Sequence, residues 1–275
     1  MSVINTNVSA LYSQNAMKTN SRAMSTAMEQ LSTGTRVNSA KDDAAGLAIG
    51  QNMTSQIRGL NMAVRNLNDG INMMQTAEGA MVEQSNMLQR MRELAVQSMN
   101  GTYDVKQRSY LDAEFQQLKV QIGKIATDTK WNDQTLLDGS TAAFTFQAGS
   151  ASGQVIDVAI QNMGVGTDGS ILTISAAAIT DVETATEALS AIETSLQSIN
   201  EQRSTIGAGI NRMEYAVDNL SNISANATQS RSTIMDTDYA VTTTQLAKTQ
   251  IIQQAATAML AQANQQPQQV MQLLK

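Results

Sequence analysis

Two stretches of this chain carry apolar residues spaced alternately by four and by three, which is the heptad pattern of a long packed helix. The first stretch runs from Met53 to Leu94 and the second from Val182 to Ala227. At 1.5 Å per residue the first helix would be about 60 Å long, which exceeds the width of a small globule. The only proline is Pro267, so nothing interrupts either hydrogen-bond ladder. Because the chain must turn round between them, we expect the two helices to lie antiparallel.

Short polar motifs predict where these helices begin and end. Ser39 with Asp42 has the spacing of a capping box before the first helix, and Thr180 with Glu183 has it before the second. Asn100–Gly101 marks the end of the first helix. Gly207 and Gly209 lie inside the second helix and indicate a close contact with another helix or a local bend there.

The middle of the chain changes character. A third, shorter helix is predicted from apolar residues at helical spacing: Leu111, Phe115, Leu118, Ile122 and Ile125. Residues 136–180 then alternate apolar and polar residues between Gly and Ser clusters, which is typical of short strands. Phe144 and Phe146, facing residues 155–160, predict one or two β-hairpins.

Both chain ends carry weaker heptad patterns. Near the N-terminus the apolar residues recur every seven positions, at Val3, Ala10, Met17, Met24 and Leu31. Near the C-terminus either Leu246 with Leu260 or Ile252 with Met259 keeps the register, and residues 249–274 contain no charged side chain. Such helices are marginal alone in water, so we predict that they are disordered in the monomer and fold on meeting each other and neighbouring copies.

The composition argues against several classes of function. The chain has no His and no Cys, so the commonest metal ligands and general bases are missing and neither an enzyme nor a cofactor is expected. Its formal charge of -6 argues against a nucleic-acid partner. No apolar run is long enough to span a membrane, and the N-terminus lacks the pattern of a cleaved secretion signal.

Two local motifs have simpler interpretations than binding sites. Gly164-x-Gly166-x-x-Gly169 matches a dinucleotide fingerprint, but a strand follows it where a helix is required, so it predicts a turn. Asp236 and Asp238 are interpreted as helix-start residues, because two carboxylates alone make a poor cation site.

Longer stretches make the chain resemble bacterial flagellin, the subunit of the flagellar filament. The resemblance covers nearly the whole sequence and lies in INTNVSAL at 4–11, LSTGTRVNSAKDDAAGLAI at 31–49, NDGINMMQTAEGAM at 68–81, LQRMRELAVQ at 88–97, LLDG at 136–139, NRMEYAVDNL at 211–220 and LAQANQQPQQVMQLL at 260–274. Only residues 136–180 separate the helical halves, so the resemblance is to a short, core-only form.

The resemblance implies a mainly α fold, a long antiparallel coiled-coil bundle built from both chain ends with a small β-hairpin region in the middle. Residues 1–44 and 232–275 would supply the two helices of an inner-tube domain. Residues 45–231 would form a rod-like helical domain with hairpins near 140–175.

The implied function is a structural subunit that polymerises into the extracellular filament and supports motility. The subunit would be exported unfolded by a type III apparatus and would meet an export chaperone, hook-associated and cap proteins and identical subunits. Toll-like receptor 5, an animal innate receptor, would contact Gln89, Arg90, Leu94 and Glu114. Cytosolic innate sensors and assembly contacts would involve Val270, Leu273 and Leu274.

Alternatives and departures from the family pattern also follow from the sequence. A hook-filament junction protein shares terminal helices with flagellin, and a membrane-active secreted coiled-coil protein would also use amphipathic helices. Thr242 stands where the family often has Glu, Trp131 where Phe is usual, and Asp133 where Gly is frequent. The departure at Thr242 bears on contacts with the chaperone and with neighbouring subunits.

Overall fold

The computed structural model of the chain describes residues 7–166 and 169–273, with side chains in the last helix described as far as residue 265. This part of the chain is mainly α, as predicted. Its helices are α1 (Val8–Thr33), α2 (Ala44–Ser98), α3 (Val105–Asp128), α4 (Val182–Met235) and α5 (Tyr239–Leu273).

The strands lie between α3 and α4 and form small two-stranded sheets. They are β1 (Lys130–Trp131), β2 (Gln134–Thr135), β3 (Ala143–Gln147), β4 (Val155–Ala159), β5 (Asn162–Val165) and β6 (Ser170–Leu172). β1 pairs with β2 and β3 with β4 in antiparallel hairpins, whereas β5 and β6 are parallel. The predicted hairpin is confirmed, because Phe144 lies opposite Val158.

The backbone divides into two compact units. The terminal unit comprises the described residues of Met1–Ile57 and Ala225–Lys275, and the central unit comprises Arg58–Ser224. The resemblance divides the chain differently, into residues 1–44, 45–231 and 232–275. That division assigns whole helices to domains instead of grouping residues by their contacts, and it stays a prediction.

The predicted heptad seams of α2 and α4 form the core of the central unit. Fully buried side chains recur every seven residues: Leu67, Met74, Met81 and Leu88 on α2, and Ile192, Ile199, Ile206 and Met213 on α4. They belong to one apolar cluster with Phe115 and Ile122 of α3. Such burial stabilises a fold by about 1.5–3 kcal/mol for each large side chain.

Polar contacts within the central unit show that α2 and α4 run antiparallel. Asn61 accepts a hydrogen bond from the Ser224 hydroxyl at 3.0 Å. Farther along α2, Glu78 pairs with Arg203 at 3.4 Å and Arg92 with Glu193 at 3.0 Å. The partners on α4 descend in number as those on α2 ascend, which confirms the predicted orientation.

The predicted start of α2 at Ser39 is wrong. The helix begins at Ala44, and the Asp43 carboxylate accepts a hydrogen bond from the Gly46 backbone N–H at 2.8 Å. Ser39 and Asp42 instead satisfy each other in the preceding turn, where the Ser39 hydroxyl donates to Asp42 at 2.8 Å. That hydrogen bond lowers the pKa of the Asp42 carboxyl below its ordinary value.

The start of α4 also differs from the prediction, by one residue. The helix begins at Val182, so Asp181 rather than Thr180 precedes its first turn. The Asp181 backbone N–H donates to the Thr184 hydroxyl at 3.0 Å. A capping residue must stand directly before the first turn to reach its free backbone N–H groups. Asp181 holds that position, and Thr180 lies one residue too early.

Glycines allow the β3–β4 hairpin to lie close to the long helices. A Cβ at Gly209 would lie 2.9 Å from Val158 of β4, and one at Gly70 would lie 2.7 Å from the Phe146 ring. Gly209 therefore makes a close contact, but with a strand. A Cβ at Gly207 would meet no packing neighbour within 4 Å, so the predicted contact does not exist there.

Replacing Gly209 with Ala is expected to destabilise the central unit by about 1–3 kcal/mol, because the added methyl overpacks against Val158. Gly207→Ala is the matched control, and it should stabilise the same helix by up to about 1 kcal/mol through helix propensity alone. Urea unfolding followed by circular dichroism measures both changes. Equal effects of the two substitutions would contradict the proposed contact.

Candidate assembly surfaces

Helices α1 and α5 of the terminal unit pack against each other in antiparallel orientation. The Asn7 side chain donates to the Ala263 carbonyl at 2.8 Å. Farther along, the Asn20 side chain donates to the Thr249 carbonyl at 2.8 Å and to the Gln253 side-chain oxygen at 3.1 Å. These contacts fix which residues lie at the same level along the helix pair.

The seam between α1 and α5 is built from small and polar side chains. On α1 the buried residues are Ala10, Asn20 and Ala27. On α5 the seam follows heptad spacing through Thr242, Leu246, Thr249, Gln253, Ala256, Leu260 and Ala263. Within it only Thr242 and Thr249 are buried. This seam hides far less apolar surface than the Leu, Ile and Met seams of the central unit.

The sequence-predicted packing residues of the two ends fall into three groups. Ala10 is buried, and Met17, Met24, Leu31, Leu246 and Leu260 are half-buried in the seam. Ile252 and Met259 are exposed, so they do not pack between α1 and α5 within one chain. Val3 lies outside the described residues. Of the two spacings that the sequence allowed on α5, the Leu246 and Leu260 spacing faces α1.

Apolar side chains lie on the outer faces of both helices. The exposed residues are Val8, Leu11, Tyr12 and Met28 on α1, and Tyr239, Val241, Ile251, Ile252 and Met259 on α5. We call these faces the outer apolar faces. At these chain ends Ile and Met face water, whereas Thr and Gln occupy the seam. The exposed apolar surface is therefore available for a partner.

Asn20 is the buried polar residue on the α1 side of this seam, and we expect it to set the register of the pair. Asn20→Leu is expected to stabilise the pair by about 1 kcal/mol, because an apolar side chain replaces a buried polar one, while allowing the helices to slip by a heptad. Cysteine cross-linking measures the slip. In the parent chain, a cysteine replacing Ala10 should cross-link to one replacing Leu260. In the Asn20→Leu protein the cysteine at position 10 should also cross-link to a cysteine replacing Gln253, which lies one heptad from Leu260.

Asn15→Leu is the control for that experiment, since Asn15 is exposed on the same helix. It should leave the cross-linking pattern unchanged. A single register in the Asn20→Leu protein would contradict the role given to Asn20.

The residues assigned to an innate receptor lie near one another in the central unit. Arg90 pairs with Glu93 at 2.9 Å and with Glu114 of α3 at 3.0 Å. Hydrogen bonds from Arg90 to Glu93 and Glu114 raise the pKa of the Arg90 guanidinium. Gln89, Arg90 and Glu114 are exposed, whereas Leu94 is only 1% exposed. Its burial makes Leu94 a packing residue of the core.

Sequence reasoning missed a groove beside these residues. It has a volume of about 700 Å³ and is lined by Gln89, Arg92, Glu93, Val96, Gln97 and Leu196. Arg92 reaches across to Glu193 at 3.0 Å. The two helices that form the groove are far apart in sequence, so no local motif indicates it.

The residues assigned to cytosolic sensors and to assembly lie at the C-terminal end of the chain. Val270 and Leu273 lie in α5 beyond the residues whose side chains are described, and Leu274 lies outside the described residues.

The predicted turn and the helix-start role of Asp238 are confirmed, but the same interpretation of Asp236 is wrong. Asp236 follows the end of α4 at Met235 and forms an isolated antiparallel bridge with Thr35. The Asp238 carboxylate accepts hydrogen bonds from the backbone N–H groups of Ala240 and Val241, at 2.8 and 3.2 Å, and so caps α5. Gly166 and Gly169 have left-handed backbones, with φ of 74° and 76°, and β6 follows them. Within residues 7–166 and 169–273 no cluster of three or more acidic residues could hold a metal ion. No described helix is long and apolar enough to cross a bilayer.

Comparison with known proteins gives matches along nearly the whole chain. Residues 4–142 match the family model of the bacterial flagellin N-terminal helical region, and residues 189–274 match that of the C-terminal helical region. A flagellin of Halalkalibacterium halodurans is 44% identical over 273 residues, covering 99% of this chain and 100% of that protein. A flagellin of Bacillus subtilis is 39% identical over 302 residues, covering 99% of each chain.

One solved structure shares the fold at low sequence identity. It is a putative flagellar hook-associated protein from Vibrio parahaemolyticus, with a TM-score of 0.60 and 16% identity. The match covers 70% of this chain and 99% of that one. At this identity the likeness concerns the fold alone.

Proposed function

This chain belongs to the bacterial flagellin family, and from that membership we propose how its own surfaces build a filament. It is a structural subunit that polymerises into the extracellular filament of the bacterial flagellum and supports motility. The full-length identity to flagellins favours this function over that of a hook-filament junction protein or a membrane-active protein.

In our proposal the outer apolar faces of α1 and α5 are covered by neighbouring subunits. The observation that carries it is the contrast between the two sides of the helix pair. The seam holds Thr249 and Gln253, whereas Ile251 and Met259 face water. A head-to-tail contact whose rotation does not close into a ring continues as an open helical polymer, and this is the contact that we propose for these faces. The predicted disorder of these ends in the monomer is part of the same proposal.

Seeded polymerisation of the purified full chain tests this proposal. Short filament fragments are added to monomer, and electron microscopy follows their growth. We expect helical filaments to lengthen in proportion to the monomer supplied. In parallel, amide exchange should slow at α1 and α5 on assembly, and unchanged exchange there in grown filaments would show that other surfaces form the contacts.

The proposed partners before and after assembly come from the family. An export chaperone would cover the outer face of α5 before assembly, and hook-associated and cap proteins would contact the growing filament. The small, polar α1–α5 seam supports export in an unfolded state, since little apolar surface must be exposed to open it. Thr242 is buried and its hydroxyl donates to the Asp238 carbonyl, so the departure from Glu there is accommodated within the chain.

We further propose that the chain has no catalytic role. The absence of His and Cys from the whole sequence supports this, because imidazole, the commonest general base, and the thiolate nucleophile are both missing. We also retain, as a proposal, the assignment of residues 1–44 and 232–275 to an inner-tube domain and of 45–231 to a rod-like domain.

The proposed contacts with Toll-like receptor 5 are Gln89, Arg90 and Glu114, with buried Leu94 supporting them from below. Arg90→Ala should weaken receptor binding about tenfold or more, because it removes an exposed Arg already oriented by two carboxylates. Surface plasmon resonance against the receptor ectodomain measures this. Arg65→Ala, on an exposed position of the same helix, is the matched control and should bind like the parent chain.

Equal binding by the Arg90 and Arg65 variants would refute the proposed receptor contact. Val270, Leu273 and Leu274 remain the proposed contacts for cytosolic sensors and for assembly at the C-terminus.

A further inference from the structure

Methionines of this chain are distributed unequally between the two units. The sequence has 17 Met and no Cys. In the central unit Met74, Met81, Met91, Met163 and Met213 are fully buried. Met28 and Met259 of the terminal unit are 55% and 64% exposed. Among the described residues the only other strongly exposed methionine is Met62, at 46%.

The two exposed methionines of the terminal unit lie on the outer apolar faces. Met259 follows Ile251 and Ile252 within the stretch that has no charged residue. Counting eight residues along each helix from the Asn20–Thr249 contact brings Met28 level with exposed Val241. In the free subunit both methionine side chains are therefore accessible to small solutes, and in the polymer both would be covered.

We propose that Met28 and Met259 form a redox-sensitive modification site, at which oxidation of the free subunit by a hydroperoxide blocks its polymerisation reversibly. The proposal rests on the proposed function, because it requires that neighbouring subunits cover these faces. A thioether is the group in this chain that peroxide oxidises most readily, since no thiolate competes with it.

The chemical step is a two-electron oxygen transfer. The sulfur lone pair attacks the terminal oxygen of the hydroperoxide, an S–O bond forms, and the O–O bond breaks. The departing oxygen takes the proton of the transferred oxygen and, when the oxidant is hydrogen peroxide, leaves as water, while the thioether becomes a sulfoxide. Methionine sulfoxide reductases reverse the change with two electrons from a dithiol, releasing water.

The sulfoxide opposes assembly for two physical reasons. It replaces an apolar, flexible side-chain end by a strongly polar one that loses stability on burial unless it finds a hydrogen-bond donor. The surroundings of Met259 on α5 offer few donors, because three of the four residues that lie three or four positions away are alanines and only Gln262 carries a side-chain donor. The oxidised face therefore stays hydrated, while the buried methionines keep the central unit folded.

The test begins with monomer treated with a limiting dose of hydrogen peroxide, which is then removed. Peptide mass spectrometry should find sulfoxide at Met28, Met259 and Met62 before it appears at Met81 or Met213. The rate of seeded elongation, followed by light scattering, should fall about tenfold or more. The two methionine sulfoxide reductases, one for each sulfoxide epimer, should restore the elongation rate when dithiothreitol is supplied as reductant.

Leucine variants separate this site from the remaining methionines. After peroxide, the Met28→Leu/Met259→Leu double variant should lose far less of its own untreated elongation rate than the parent chain loses, although it keeps every other methionine. Met62→Leu is the matched control, and it should lose elongation on oxidation as the parent chain does.

The outcomes are distinguishable from failure of the proposed function. Untreated parent protein that does not elongate from seeds counts against the proposed function itself. If untreated protein elongates, two results would contradict the redox proposal. One is an unchanged elongation rate when Met28 and Met259 are fully oxidised. The other is an equal loss of elongation in the double variant and the parent chain. The proposal also falls if buried methionines oxidise as early as these two.

Discussion

Replacing Ile251 with Glu is expected to abolish filament growth at concentrations where the parent chain polymerises. Ile251 is 66% exposed on the outer apolar face of α5. The substitution removes about 1.5–3 kcal/mol of apolar burial at a subunit contact and adds a carboxylate whose desolvation costs several kcal/mol more. Since about 1.4 kcal/mol corresponds to a factor of ten, the critical concentration should rise about 100-fold or more.

Gln250→Glu is the matched control for this experiment. It adds the same negative charge one residue away, at an exposed position that is already polar. It should change the critical concentration far less than Ile251→Glu does. Circular dichroism of the two monomers should be indistinguishable, because neither side chain is buried within the chain. Normal growth of the Ile251→Glu protein would show that this face of α5 is not a subunit contact.

Phe115→Ala is expected to produce the largest loss of stability in the central unit. Phe115 lies on α3, is fully buried and belongs to the cluster that includes Ile122 and the α2 and α4 seams. Removing the ring leaves a cavity and should cost about 3–5 kcal/mol of unfolding free energy. Urea unfolding of the monomer, followed by circular dichroism, measures the change in midpoint.

Tyr110→Ala provides the comparison for Phe115→Ala. Tyr110 lies on the same helix but is 66% exposed, so its loss should change the unfolding free energy by no more than about 0.5 kcal/mol. Similar losses from the two substitutions would mean that α3 does not pack through Phe115.

The long helices could be predicted because their heptad pattern is repeated many times. The heptad period continues from Met53 to Leu94, so a single residue that breaks the pattern does not change the predicted helix. The start of a helix, in contrast, depends on only one or two side chains. Ser39–Asp42 has the spacing of a capping box, but Asp43 is nearer the first turn and takes that role. The capping motif alone cannot distinguish these two arrangements.

The β1–β2 hairpin had no usable signal in the sequence. Each strand is two residues long, and the turn between them places Asn132 and Asp133 at φ of 47° and 64°. Both are left-handed conformations, which Asn and Asp tolerate better than most residues and Gly best of all. The frequent Gly of the family at the Asp133 position therefore has a backbone explanation.

The candidate assembly surface could be predicted only in part. Amphipathic ends were evident from the recurrence of Met17, Met24 and Leu31, but two equal spacings on the C-terminal helix left its orientation open. The choice depends on contacts with another helix, such as Asn20 with Thr249, and these are remote in sequence. The same remoteness hides the Arg92–Glu193 pair beside the groove.

The strict seven-residue repeat of buried side chains in the central unit also determines a handedness. A straight α-helix rotates its seam by about 20° per heptad, so buried positions such as Leu67 and Leu88 stay on one face only if the paired helices wind around each other in a left-handed supercoil. A torque that unwinds this supercoil turns the seam toward water, whereas the opposite torque tightens it. The paired helices should therefore resist twisting unequally in the two directions, which matters for a polymer that propels a cell by turning.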